Sequence, residues 1–201
     1  MTAAFLRSFL PVYFLAFIGL AFFWRSYRVW RTTGLNPVKL GRSGSAHDYI
    51  GMCFGALLLA SALMVAAFAF APAGYAYLSP LSWLTRPALT WAGVALLMAG
   101  LAWIVAAQAG MGRSWRIGVD SESQTELVQR GLFAVSRNPI YLGMRVVLFG
   151  QFLALPNALS FAILMVGEVL VQIQARLEEE HLLKLHGSSY EDYRARTRRW
   201  F

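Results

Sequence analysis

Two short stretches carry the residues that could do chemistry. Ser136-Arg137-Asn138-Pro139-Ile140-Tyr141-Leu142-Gly143 sets a cation, an amide and a proline where a charged segment turns into an apolar helix. Arg176-Leu177-Glu178-Glu179-Glu180-His181 lies just past the next apolar stretch. The guanidinium of Arg137 is a planar fork suited to a carboxylate. The free N–H groups at the start of a helix suit an anion as well. A carboxylate from the triple-acid run suits a cation. Consecutive helical residues point in different directions, so one or two of Glu178, Glu179 and Glu180 can face a common pocket. Asn138-Pro139 also has a purely structural reading, because Asn is a preferred N-cap and Pro a preferred first helical residue.

The elements that must position these clusters are membrane helices. The chain has 201 residues, 58% of them hydrophobic and only 14% charged. A soluble domain is nearer a quarter charged, and a helix crosses a bilayer in about 20 apolar residues. The expected architecture is all-α and polytopic, one domain over residues 1–201, with five transmembrane helices and a C-terminal cytoplasmic helix. The spans are placed at about 9–24, 49–70, 88–107, 139–155 and 159–173, the last helix continuing out of the membrane to about Leu185. Residues 1–109 form three N-terminal spans and residues 110–201 a catalytic half. The first apolar run ends at Trp24-Arg25 without a small-residue cleavage site, so it reads as a span rather than a cleaved signal.

A net charge of +8 would suggest nucleic acid for a soluble chain. Here the positive-inside bias accounts for it, and no nucleic-acid partner is expected. The segments holding Arg25, Arg28, Arg31, Lys39 and Arg42, and then Arg113, Arg116, Arg130 and Arg137, are assigned to the cytoplasm. Arg194, Arg196, Arg198 and Arg199 with Trp200 read as a contact for anionic headgroups of membrane lipids.

The hairpin of the last two spans allows a geometric expectation. Its tip falls between Pro156 and Asn157, and Arg145 and Glu168 are equally far from it. At ~1.5 Å per residue they share one depth. Ionisable residues in hydrocarbon are costly and pair inside the bundle, so an Arg145–Glu168 ion pair is predicted.

Other constellations exclude more than they propose. Cys53 is the single cysteine and makes neither disulfide nor cluster. His47, His181 and His186 lack zinc spacing, and no metal is assigned. Gly110-Met111-Gly112 is a lone GxG that would let a backbone approach a ligand closely. With no strand pattern around it, a Rossmann domain is excluded.

The ordered set Leu127-Val128, Gly131-Leu132-Phe133, Arg137-Asn138-Pro139-x-Tyr141-x-Gly143, then Glu178-Glu179-x-x-Leu182, Gly187, Tyr190 and Tyr193 before a basic end resembles a known family. From Gly112 to Arg199 the chain is similar to the isoprenylcysteine carboxyl methyltransferases and the membrane phospholipid N-methyltransferases. The first three spans match only in general hydropathy. The resemblance implies an integral membrane enzyme that uses S-adenosyl-L-methionine at the cytoplasmic ends of the last two spans. It implies catalytic roles for Arg137 and Glu179, and cofactor contacts from Gly110, Gly112, Leu127, Val128, Gly131, Leu132, Asn138, Tyr141, Glu178 and Glu179. Asn138 departs from the family's usual His, and Gln174 stands where an Arg is usual. Asn cannot take a proton, so a general-base role there is in question.

The acceptor is expected to be a lipophilic small molecule or lipidated substrate reached from the bilayer. Carboxyl O-methylation of an isoprenyl-type thioether and N-methylation of an amine phospholipid stand as rival reactions. A carboxylate needs no base, which leans to the first. Sterol reductases, which use a nicotinamide cofactor, are similar in the same half but have extra spans. A non-catalytic membrane scaffold is the third reading. A bacterial inner membrane is the expected location.

Overall fold

The computed structural model describes residues 2–34, 45–112 and 127–201. Arg113, Arg116, Lys39 and Arg42 lie outside the described residues. Within them every regular element is helical, and an isolated bridge joins Pro80 to Asn157.

The first helix is longer than the sequence suggests. It runs as α1 (Thr2–Ile18), a π-helical stretch (Gly19–Trp24) and α2 (Arg25–Thr33) without a break. A π stretch leaves carbonyls out of the regular ladder, and one is met from another helix: Gln108 Nε2 donates to the carbonyl of Ala21 at 2.9 Å. α3 (Ala46–Phe70) starts at Ser45, whose hydroxyl accepts from the Asp48 amide. α4 (Pro72–Ala76) is a short turn of helix. α5 (Pro87–Met111) and α6 (Pro139–Ala154) each begin on proline at a position whose missing N–H costs nothing. α7 (Ala158–His186) starts with a capping box between Asn157 and Ser160, and α8 (Ser188–Arg196) follows it.

Among the described residues four helices are long and apolar enough to cross a membrane: Ala3–Thr32, Ala46–Phe70, Pro87–Met111 and Ala158–His186. α6 has 16 residues, about 24 Å at ~1.5 Å per residue, shorter than the others. The sequence placed a fifth span there. In the structure α6 packs along α5, the most extensive helix contact of the fold.

That contact is built on glycine. A Cβ on Gly93 would lie 2.5 Å from the backbone nitrogen of Ala154, and one on Gly150 would lie 2.9 Å from that of Leu97. Gly100 and Gly143 meet in the same way one heptad further on, where a Cβ on Gly100 would be 3.2 Å from the Gly143 carbonyl oxygen. In lipid, close backbone approach is what drives helices together. α6 then packs on α7, α7 on α3 and α3 on α1. Met64, Leu97, Ile104 and Val171 are buried between these helices.

At the hairpin end, the Leu81 amide donates to the Pro156 carbonyl at 2.9 Å, and Asn157 Nδ2 donates to the Leu155 carbonyl at 2.9 Å. A cavity of about 220 Å³ lined by Leu6, Phe68, Tyr75, Pro87 and Leu155 lies at this end. The two charged clusters lie at the other.

Candidate active site

α5 and α6 run antiparallel with Gly93 on Gly150 and Gly100 on Gly143. The same register brings the C-terminal end of α5, with Gly110 and Gly112, to the start of α6. Trp103 Nε1 donates to the Pro139 carbonyl at 2.9 Å and fixes that start. Gly112 ends α5 at φ +55°, a left-handed conformation that suits glycine, and its carbonyl accepts from Arg25 Nη2. Gly131 has φ +63° and opens a 3₁₀ turn, Gly131–Ala134, that packs on α5. Leu127, Val128 and Leu132 are half-buried. Gly110 and Gly112 at the end of α5, the turn opened by Gly131 and the start of α6 thus lie at one end of the bundle.

The two clusters meet in direct contact. Arg137 Nη2 is 3.2 Å from Glu179 Oε2. Asn138 Nδ2 donates to Glu179 Oε1 at 2.8 Å. Arg199 clasps the same carboxylate, Nε to Oε1 at 2.9 Å and Nη2 to Oε2 at 3.0 Å. Glu179 is buried and meets two guanidinium groups and an amide, so its cationic partners are residues of this chain. Its bond raises the Arg199 guanidinium's already high pKa.

Two readings change here. Asn138 does not cap α6 through its side chain; its amide is spent on Glu179. The first N–H groups of α6, at Ile140 and Tyr141, have no helical acceptor behind them. Arg199 belongs to the site rather than to the lipid headgroups. Its carbonyl accepts from the Ser136 hydroxyl at 2.9 Å, and the Arg198 carbonyl accepts from the Arg137 amide at 2.9 Å. Arg137 Nη1 also donates to the carbonyls of Arg194, at 3.2 Å, and Thr197. Tyr193 donates to the Phe133 carbonyl at 2.6 Å. Burial pushes its hydroxyl up to about 12, so it remains a donor at neutral pH. A run of four arginines in sequence carries no sign of which one turns inward, because that depends on where α8 delivers the tail.

Glu178 is differently placed. Tyr141 donates to its Oε2 at 2.7 Å, and its other oxygen has no hydrogen bond among the described residues. Gln174 Nε2 lies 3.3 Å from His47 Nδ1 of α3, while Gln174 Oε1 and His186 Nε2 are buried without a partner. His47 was missed in sequence because only the packing of α3 on α7 brings it there. Glu180 is exposed.

Residues 88–189, just over half of the chain, match the model of the phospholipid methyltransferase family. The chain belongs to this family. The match opens at α5, so the third expected span is part of the family unit, where the sequence suggested only generic hydropathy before Gly112. α5 is also the helix that packs most closely on α6, glycine against glycine.

A relative of this phospholipid methyltransferase family member is the nickel-cobalt-cadmium resistance protein NccN of Alcaligenes xylosoxydans xylosoxydans. It is 29% identical over 113 residues, 56% of this chain and 52% of NccN. The chain spans about half the length of the curated relative it matches.

Proposed function

We propose that this methyltransferase family member is an integral membrane enzyme that uses S-adenosyl-L-methionine to methylate a lipophilic acceptor. The reading rests above all on one observation: two polar clusters 42 residues apart in the chain close on each other at one end of an apolar bundle. The family match supports the reaction class.

The residues fit a methyl donor carrying a carboxylate, an ammonium and a sulfonium. Glu178 offers a carboxylate oxygen without a partner among the described residues to a cation. The uncapped start of α6 offers N–H groups to a carboxylate. The buried, unpartnered Gln174 Oε1, one turn from Glu178 on α7, marks further polar capacity there. Gly110, Gly112, Leu127, Val128, Gly131 and Leu132 are proposed to line the nucleoside at the same end. Arg137, Asn138, Glu179 and Arg199 hold the start of α6 against α7 and the tail, and so act as positioning residues.

When bound, the donor supplies an electrophilic methyl group on its sulfonium. The protein's part is alignment and exclusion of water, which together supply most of the acceleration such a displacement needs. Tyr141 fixes Glu178 through one oxygen and leaves the other for a cation. Asn138 cannot take a proton from the acceptor as a base would. An acceptor that attacks with an existing lone pair therefore suits the site, and carboxyl O-methylation of an isoprenylcysteine-type substrate is the first reading. N-methylation of an amine phospholipid is the second, favoured by the family match itself.

The segments at this end carry most of the arginines, which supports a cytoplasmic orientation; a bacterial inner membrane is the proposed location. The experiment is incubation of the purified protein with methyl-labelled donor and a total lipid extract. Label released as methanol by mild alkali identifies an ester, and alkali-stable label in an amine lipid identifies N-methylation. Thermal stabilisation by NADPH and none by S-adenosyl-L-methionine would reverse the assignment.

A further inference from the structure

The predicted ion pair inside the hairpin is formed: Arg145 Nε donates to Glu168 Oε2 at 2.7 Å. It is not sealed inside the bundle, however. The two side chains remain 31% and 32% exposed. Glu168 is satisfied, because its Oε1 accepts from Gln172 Nε2 at 2.8 Å. Arg145 is not. Its guanidinium lies under the Trp200 ring at 4.7 Å, and both Nη groups lack an acceptor among the described residues. The side chain is partly exposed and lies beside the aromatic tail, so its free donors are open to a ligand from outside the bundle.

The surroundings are those of an amphiphile. Arg145 is one turn beyond Tyr141 on the same face of α6, about 6 Å deeper at ~1.5 Å per residue. On the side away from the site, Phe149 continues the Arg145 face and Met165 the Glu168 face, and both are exposed. An oxyanion at the guanidinium would thus have two apolar rails for its chain and an indole beside its head.

We propose that Arg145 and Trp200 form an anion site open to the bilayer, which seats the phosphate of a membrane lipid with its acyl chain along Phe149 and Met165. The inference goes beyond the proposed reaction and is measured without any methyl donor.

The test is native mass spectrometry of the full chain in detergent, with dioleoyl phosphatidylglycerol or dioleoylglycerol added in equal amounts. Arg145→Gln/Glu168→Gln removes the anion site without stranding a charge, and Arg31→Gln removes an exposed cation elsewhere at the same end. Wild type and Arg31→Gln should hold phosphatidylglycerol about tenfold better than dioleoylglycerol, the effect of one charge-assisted contact. The double variant should lose one bound phosphatidylglycerol while keeping its melting temperature within a few degrees. Inorganic phosphate at millimolar concentration should not displace the lipid. Equal retention by the double variant, no preference in wild type, or displacement by inorganic phosphate would overturn the proposal. None of these outcomes bears on whether S-adenosyl-L-methionine binds, so the two readings fail separately.

Discussion

Arg199 holds both oxygens of Glu179 although the two residues are 20 apart in sequence and α8 lies between them. The tail thereby closes over the start of α6, and the end of the chain becomes part of the site. Arg199→Ala should lower stability by about 1–3 kcal/mol, the cost of leaving a buried charge with fewer partners. Arg199→Lys should recover only part, because an ammonium does not match two carboxylate oxygens at once. Thermal unfolding in detergent measures both, and equal melting temperatures for all three proteins would show that the clasp carries no load.

Glu178 and Glu179 are neighbours with different work. Glu179→Gln leaves Arg137 and Arg199 without their counter-charge and should cost about 3–5 kcal/mol. Glu178→Gln keeps the Tyr141 contact and should leave the melting temperature nearly unchanged while weakening donor binding about tenfold or more. Calorimetric titration with S-adenosyl-L-methionine, set beside thermal unfolding, separates the two. The assignment of roles fails if the variants behave alike.

Asn138 offers a sharper probe of the same carboxylate. Asn138→Asp sets a second negative charge at the 2.8 Å position now held by the amide nitrogen. Like charges at that range should cost about 1–3 kcal/mol even with two arginines nearby. Asn138→His keeps a donor and should be milder. The penalty of the Asp variant relative to the wild type should shrink as pH falls and protonates one of the two carboxyls, while Glu179, held low by Arg199 and Arg137, keeps its charge longest. A pH series of melting temperatures checks the direction.

The glycines divide by what a methyl group would meet. Gly93→Ala puts a Cβ 2.5 Å from backbone and should cost about 1–3 kcal/mol as α5 and α6 separate. At Gly110 a Cβ meets nothing within 4 Å, so Gly110→Ala should hold or raise stability by up to about 1 kcal/mol. A loss of donor affinity in Gly110→Ala without loss of stability would support a backbone contact to the cofactor there. Unchanged affinity would remove Gly110 from the site.

The sequence by itself determined the class, the order of the helices and the two clusters, because hydropathy and capping residues are local signals. It also determined the Arg145–Glu168 pair, since a hairpin with a known tip places residues by counting alone. What it could not determine was which groups satisfy one another at the site. Glu179 is met by Arg199 rather than left for a ligand, Asn138 turns from its own helix to α7, and His47 arrives on α3. Each depends on the angle at which one helix crosses another and on where α8 delivers the tail. One of those crossings, between α5 and α6, rests on glycines that are ordinary apolar residues when read along the chain. Only the tertiary structure brings the backbones close enough for the missing Cβ atoms to matter.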